Sequence, residues 1–521
     1  MTNEKWHHQN IVLLGDAKAT AHYSIGSGTK LAMDSAIGLS DAIVANSNNI
    51  QAAFEQYEKS RRNTVEMIQY AALVSSDWFE KMDRHNQHSF QQFAFGCMTR
   101  SKKVTFENLK LRDKSFTDKV LNEFLKNNNS QFPTFNLQLS TSNSPTFTPF
   151  KLRNLTLSNR IVMSAMGQYS AVNGIVQPWH LVHYGSRATG GVGLIITEMT
   201  AISETGRITE GCAGIYNENQ TQAWKNIVDF VHQNTAAKIG IQLGHSGRKG
   251  ATKKPWEESF TGKSWDLISA SAIPFNENSA TPKEMDLEDM ATIKAQFVKA
   301  VKNADKAGFD MIELQAHHGF LLASFLSPLT NIRTDEFGGN IENRIKFPLR
   351  VFDEIRASFP QEKPISIRIS ASDWAENGIT DEDVIFIVET FKNAGADIIN
   401  VSTGNTVSHQ KPQVGRMWQT PFSDEIRNTI HIPTITAGYI QDIDQINTII
   451  LNGRADLVAL GRPLLLDANF VRNAQAYENV PTDDIPNPYK MGVSHLYPLK
   501  ASKRKQMEGM KKALKPKSNK K

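Results

Sequence analysis

The stretch Glu313-Leu-Gln-Ala-His-His-Gly-Phe-Leu-Leu-Ala-Ser-Phe-Leu-Ser-Pro-Leu-Thr-Asn331 decides how this chain reads. Met311 and Ile312 lead into it as a short apolar strand, the histidines His317 and His318 follow, and Arg333, Asp335, Gly338 and Gly339 close the loop beyond. Polar residues at the carboxyl end of a strand mark the face where a (β/α)8 barrel does its chemistry. Seven other segments are also strand-like: 160–166, 193–200, 238–245, 364–371, 398–403, 433–438 and 456–461, most of them carrying several Ile, Val or Leu. Short, largely apolar strands suit a parallel sheet buried on both faces. Amphipathic helical patterns lie between them. Residues 221–233 place Trp224, Ile227, Val228 and Val231 on one face, 290–307 and 341–358 repeat the pattern, and 380–394 opens on Thr380 as an N-cap followed by acidic residues. Eight such units predict an α/β fold, a closed (β/α)8 TIM barrel. An open doubly wound sheet would normally show Gly-x-Gly-x-x-Gly after its first strand, and none is present.

With 521 residues, 40% of them hydrophobic and 21% charged, the chain has the composition of a globular protein with room for more than one unit. No run of about 18 apolar residues occurs, so no membrane partner is expected, and the first residues lack the apolar core of a signal peptide. Two cysteines, Cys97 and Cys212, suit free thiols in a reducing cytoplasm. Much of the net charge of +5 sits in the tail, where no aromatic residue interleaves the basic ones between 501 and 521; nucleic acid is not an expected partner. The expected organisation is a front piece over 1–130, mostly helical and incomplete as a domain, a Ser/Thr/Asn/Pro-rich linker over 131–146, the barrel over 147–489 and a basic tail over 490–521. In the front piece, Ile11 to Asp16 reads as a strand, Gly26 to Lys30 opens a helix, and a second helix spans about 49–74.

The barrel segment closely resembles the old yellow enzyme family, the FMN-dependent ene-reductases. The resemblance runs from about 147 to 476 and is dense in motifs: Ser164-Ala-Met-Gly-Gln-Tyr169, Glu198-Met-Thr200, Gln242-Leu-Gly-His-Ser-Gly-Arg-Lys249, the 313–331 segment, Ile367-Arg-Ile-Ser370, Thr436-Ala-Gly438 and Leu460-Gly-Arg-Pro463. It implies FMN as cofactor and NADPH or NADH as co-substrate. The implied flavin-binding residues are Ser164, Ala165, Met166, Gly167, Met199, Gln242, Arg368, Gly438, Gly461 and Arg462. Gln242 would bond the pyrimidine edge of the flavin, Arg368 would offset charge on the reduced ring, and the glycines would let backbone N–H groups reach a phosphate. No metal is implied. Tyr169 would border the substrate. On the fourth strand the family places two donors that grip a substrate carbonyl, then a tyrosine that protonates the α-carbon. Here Gln315 and His318 take the donor positions, Phe320 replaces the tyrosine, and Gly167 replaces a cysteine found in one bacterial branch. The expected catalytic set is therefore His318, Gln315 and Tyr169. Without a tyrosine at 320, slow turnover of simple enones is expected.

The front piece resembles the end of a group A FAD-dependent aromatic monooxygenase, through Leu14-Gly-Asp-Ala17 and Ile25-Gly-Ser-Gly-Thr-Lys-Leu-Ala-Met-Asp34. The dinucleotide-binding half of that family is absent from the sequence, so FAD is not expected in this piece. A monooxygenase end, a linker and an ene-reductase barrel, in that order, resemble the fused salicylyl-CoA 5-hydroxylase and anthraniloyl-CoA monooxygenase proteins. Three functions stand open on sequence. One is an NAD(P)H oxidoreductase passing hydride through FMN to an activated C=C bond. Another is the reductase portion of an aryl-CoA monooxygenase, with an aryl-CoA thioester as substrate and a separate FAD-domain partner. The third is a non-catalytic FMN-binding or partner protein. A homo-oligomer is compatible with each.

Overall fold

A computed structural model describes residues 3–130, 144–258, 262, 264–478, 480 and 484–513. The expected linker therefore lies outside the described residues over 131–143. The chain divides into two compact units, one of Met1–Glu123 with Gln413–Met417 and one of Phe124–Pro412 with Trp418–Lys521.

The first unit is helical. Helices Gly28–Ala45 and Ile50–Glu80 pack around a core of Trp6, Leu31, Ala42, Tyr57 and Val65. Lys18 lies within it with Nζ 4.4 Å over the Trp6 ring, and burial lowers its ammonium to about 8. The expected strand to Asp16 is shorter: only Ile11–Val12 pairs, with His7–His8, because Gly15 turns the chain at φ +58° and Gly15–Ala17 winds into a 3-10 turn.

The second unit is the expected TIM barrel. Its strands are β1 Ile161–Met163, β2 Leu194–Ala201, β3 Lys238–Gly244, β4 Met311–Ala316, β5 Ile365–Ser370, β6 Ile398–Ser402, β7 Thr434–Thr436 and β8 Leu457–Leu460. Each pairs in parallel with its sequence neighbour, and β8 closes on β1. The principal outer helices are α1 Pro178–Thr189, α2 Glu218–Asn234, α3 Leu287–Ala307, α4 Lys346–Ser358, α5 Asp381–Asn393, α6 Thr420–Ile430, α7 Ile443–Leu451 and α8 Phe470–Glu478. The Trp224, Ile227, Val228 and Val231 face of α2 is buried as its spacing requires, and Thr380 Oγ1 accepts from Asp383 N at 3.1 Å to cap α5. The helix expected over 341–358 is broken into Ile341–Arg344 and α4. Pro348 is the cause: its ring would clash with the Arg344 carbonyl in a continuous helix, whereas the first turn of a new helix accepts it.

A hairpin of Phe150–Leu152 and Leu155–Leu157 clusters with Val162, Leu194, Met311, Ile398 and Leu457, residues at or next to the amino ends of their strands, and so closes that end of the barrel. Asn447 of α7 holds the chain entering this hairpin, with Oδ1 accepting from Thr146 N at 3.0 Å and Thr146 Oγ1 at 2.7 Å. The carboxyl face is left to form the site.

Trp224 fills the α2 interface beside Tyr184 and Phe309, with ring centroids 5.8 and 5.7 Å away. Replacing a buried aromatic by alanine removes its transfer energy and leaves a cavity. Trp224→Ala should therefore destabilise the barrel by about 3–5 kcal/mol in urea unfolding followed by circular dichroism.

Candidate active site

Glu313 is fully buried inside the barrel at the centre of β4. Three strands supply its donors. Gln242 Nε2 of β3 donates to Oε1 at 2.8 Å, while Asn400 Nδ2 of β6 and Ser366 Oγ of β5 donate to Oε2 at 2.7 and 3.3 Å. A buried carboxylate needs such partners, and this one also sets the direction of the layer above it. Gln242 has its amide nitrogen on Glu313, so Gln242 Oε1 faces the other way and accepts from Gln315 Nε2 at 3.4 Å.

The expected site residues all lie at or just beyond the carboxyl ends of the strands. After β1, Ser164 N donates to Leu460 O at 3.0 Å, and Met166 O accepts from Gln168 Nε2 at 2.9 Å. Ala165 is partly buried against the barrel core. A Cβ on Gly167 would stand 2.9 Å from the tip of the Tyr169 ring, so glycine lets that ring lie close over the loop. Tyr169 has φ +49° and is edge-on to Trp256 at 6.0 Å. Burial, aided by Cys212 and Glu198, raises its phenol to about 12, so it stays protonated at neutral pH. The loop is anchored below by Glu198, whose Oε2 accepts from Gln168 N at 3.0 Å. On β2, a register shift between Ile196 and Met199 brings Met199 opposite Gln242.

Arg368 of β5 is buried, and its guanidinium makes no hydrogen bond or ion pair with any described residue. Burial lowers its pKa, and the Glu313 carboxylate works against that. After β7, Gly438 has φ +95°, and a Cβ there would lie 2.6 Å from Trp418 Nε1. Beyond β8, Gly461 precedes Arg462, whose exposed side chain lies 5.0 Å over the Tyr439 ring. The N–H groups of Gly438 and Gly461 donate to no described residue. These features, a buried unpaired cation, inward-facing amides and two glycine turns with free N–H groups, fit a planar, anionic ligand carrying a phosphate, such as FMN.

His318 is held at φ +56°, its N–H donating to Ser370 Oγ at 2.9 Å and its Nε2 2.7 Å from Ser402 Oγ. His317 packs edge-on against it with centroids 4.2 Å apart. Burial holds both imidazoles well below their ordinary range, and Arg368 and Lys249 push them further down, so both are neutral near pH 7. Phe320 lies beside His317 with ring centroids 5.9 Å apart.

Reasoning from sequence passed over Lys249. Its Nζ donates to His318 O and Asn405 O, both at 2.9 Å, and sits 4.3 and 5.0 Å over the rings of Phe275 and Phe320. Burial, then Arg248, lowers it to about 7. It closes the quoted 242–249 motif, but the partners that bury it come from distant loops. Glu313 stands in the quoted 313–331 segment, but its role in orienting the amides around it depends on donors from three other strands.

The model of the NADH:flavin oxidoreductase / NADH oxidase family matches residues 145–480. The chain is 41% identical over 347 residues to the NADPH dehydrogenase of Clostridium acetobutylicum, an alignment covering 66% of this chain and 98% of that protein. It is 40% identical over 344 residues to the NADPH dehydrogenase of Bacillus subtilis (strain 168), covering 66% and 96%. Among solved structures, morphinone reductase in complex with tetrahydroNAD superposes with a TM-score of 0.54 at 26% identity, covering 64% of this chain and 92% of that one. With a barrel of this topology, a site of this geometry and a match across most of its length, the chain belongs to the NADH:flavin oxidoreductase / NADH oxidase family, the old yellow enzyme family.

Proposed function

We propose that the barrel binds FMN and works as an NADPH dehydrogenase of the old yellow enzyme type, reducing an activated C=C bond of a small or aromatic acceptor. The observation that carries this reading is Arg368, a buried guanidinium without a protein partner. An unpaired buried cation is costly unless a ligand supplies the counter-charge. When bound, FMN supplies hydride transfer between NADPH and the acceptor. The chain supplies the rest. Arg368 offsets negative charge on the ring, and Gln242 meets its polar edge. Free backbone N–H groups at Gly438 and Gly461 receive the phosphate, with Arg462 adding charge at the rim. Met199 and the 164–167 loop border the ring, His318 orients the acceptor, and Tyr169 walls the mouth beside Trp256.

The finer identity we propose is the reductase portion of an aryl-CoA monooxygenase system. It rests on the residues 14–17 and 25–34 standing before a barrel of this family. On that reading an aryl-CoA thioester is the acceptor and FAD is held by a separate partner rather than by residues 1–130. We propose the division 1–130, 131–146, 147–489 and 490–521 for the parts. Cytoplasmic placement suits the free thiols of Cys97 and Cys212. No helix among the described residues is long and apolar enough to cross a membrane. A non-catalytic flavoprotein is the outcome if the first of the following measurements fails.

Anaerobic addition of NADPH to FMN-loaded protein should bleach the flavin absorbance near ~450 nm, and Arg368→Leu should lose bound flavin or slow the bleaching at least ~10-fold. Unchanged absorbance with both NADPH and NADH rules out the dehydrogenase. Phe320 cannot donate a proton. The double change Phe320→Tyr with Gln315→His should therefore raise cyclohexenone reduction at least ~10-fold, a threshold below the roughly 10²–10⁴ that general acid catalysis supplies, in steady-state NADPH oxidation.

A further inference from the structure

The direction of the hydrogen bonds around Glu313 says what kind of acceptor the pocket takes. Glu313 accepts from Gln242 Nε2 at 2.8 Å. Turning the Gln242 amide over would set its oxygen against a carboxylate, so its orientation is dictated by charge. Gln242 Oε1 then needs a donor and takes Gln315 Nε2 at 3.4 Å. Turning Gln315 over would oppose two carbonyl oxygens. The end of Gln315 left over is therefore Oε1, an acceptor, which is buried and has no partner among the described residues. The amide itself lies over Gly244, where a Cβ would come within 2.3 Å of that oxygen, so only a glycine there lets Gln315 hold this orientation.

His317 is oriented by the same chain. The second hydrogen of Gln242 Nε2 faces His317 Nε2 at 3.4 Å, so that nitrogen accepts. The proton of the neutral ring therefore sits on Nδ1, a buried donor that also lacks a partner. Two residues apart, at the end of β4 and just beyond it, stand one unmet acceptor and one unmet donor.

We propose that Gln315 is a specificity-determining residue that selects acceptors bearing an N–H or O–H donor beside the activated carbonyl, such as an imide, a primary amide or an enol, over a bare ketone. This deepens the reading above and rests on it for the hydride. A ketone oxygen brought to Gln315 Oε1 meets another oxygen, while an N–H or O–H satisfies it. A site built to pair with a substrate N–H discriminates strongly against an analogue without one, because its own polar group is then left unpaired.

The test uses FMN-loaded protein and two pairs of compounds. Succinimide and N-methylsuccinimide are titrated by calorimetry, which needs no turnover. Maleimide and N-methylmaleimide are compared as acceptors by kcat/KM. Wild type should favour the N–H member at least ~10-fold in both comparisons, and Gln315→Met should bring both ratios within ~2-fold. Equal ratios in wild type, or binding of neither imide, overturn the proposal. A high ratio that persists in Gln315→Met traces the preference to the bulk of the methyl group and overturns it as well. If Gln315→Met does not fold, Gln315→His, which presents a donor, is used and should invert or erase the preference. If NADPH leaves the flavin oxidised while succinimide is still preferred, the dehydrogenase reading falls and this one stands.

Discussion

One buried carboxylate organises this barrel. Glu313 lies in a closed ring of parallel strands where water cannot reach it, and a charge there persists only with donors on every side. Gln242, Ser366 and Asn400 provide them from three other strands. The arrangement ties β3, β4, β5 and β6 together through their side chains as well as through their ladders. It also gives the layer above a sense of direction: an amide bound to a carboxylate has one orientation, and the groups resting on it inherit theirs. The polarity of the mouth is set one layer below the mouth.

Above that layer the field is positive. Arg368 and Lys249 stand near two imidazoles that burial keeps uncharged, and Arg248 adds its charge behind Lys249. The histidines cannot share the charge, so the two long side chains carry it. Lys249 already gives part of its charge up, with an ammonium lowered to about 7 between two aromatic rings. Arg368 has no such escape, since a guanidinium stays protonated under any condition the fold survives. That asymmetry is why the arginine, rather than either histidine or the lysine, is the group that requires an anionic partner.

The eight strands were legible because each is a short apolar run bounded by polar residues, and a closed parallel sheet buries both faces of every strand. The α2 face was legible through Trp224, Ile227, Val228 and Val231 at helical spacing. The break before α4 was also written in the chain, as Pro348, but a continuous amphipathic pattern masked it. The short front strand was overestimated because apolar content outweighed Gly15. At the site, residue types at strand ends could be read, and their positions at the carboxyl face follow from the barrel. Hydrogen-bond direction could not be read. Nothing in the letters Gln315 and Gln242 says which end of each amide faces the other, since that depends on Glu313 and on the stacking of three strands. Lys249 escaped for a related reason: its burial depends on Phe275 and Asn405, which only the folded loops bring to it.

The hairpin at 150–157 has one more effect. It caps the amino end of a cylinder whose interior is already filled by Glu313, Ser366 and Asn400, so only the carboxyl face is open to ligands. On the proposed function, nicotinamide and acceptor would share that face and use it in turn, and each in excess would stand in the other's way. A catalyst of this shape would show parallel double-reciprocal lines and inhibition by its own second substrate.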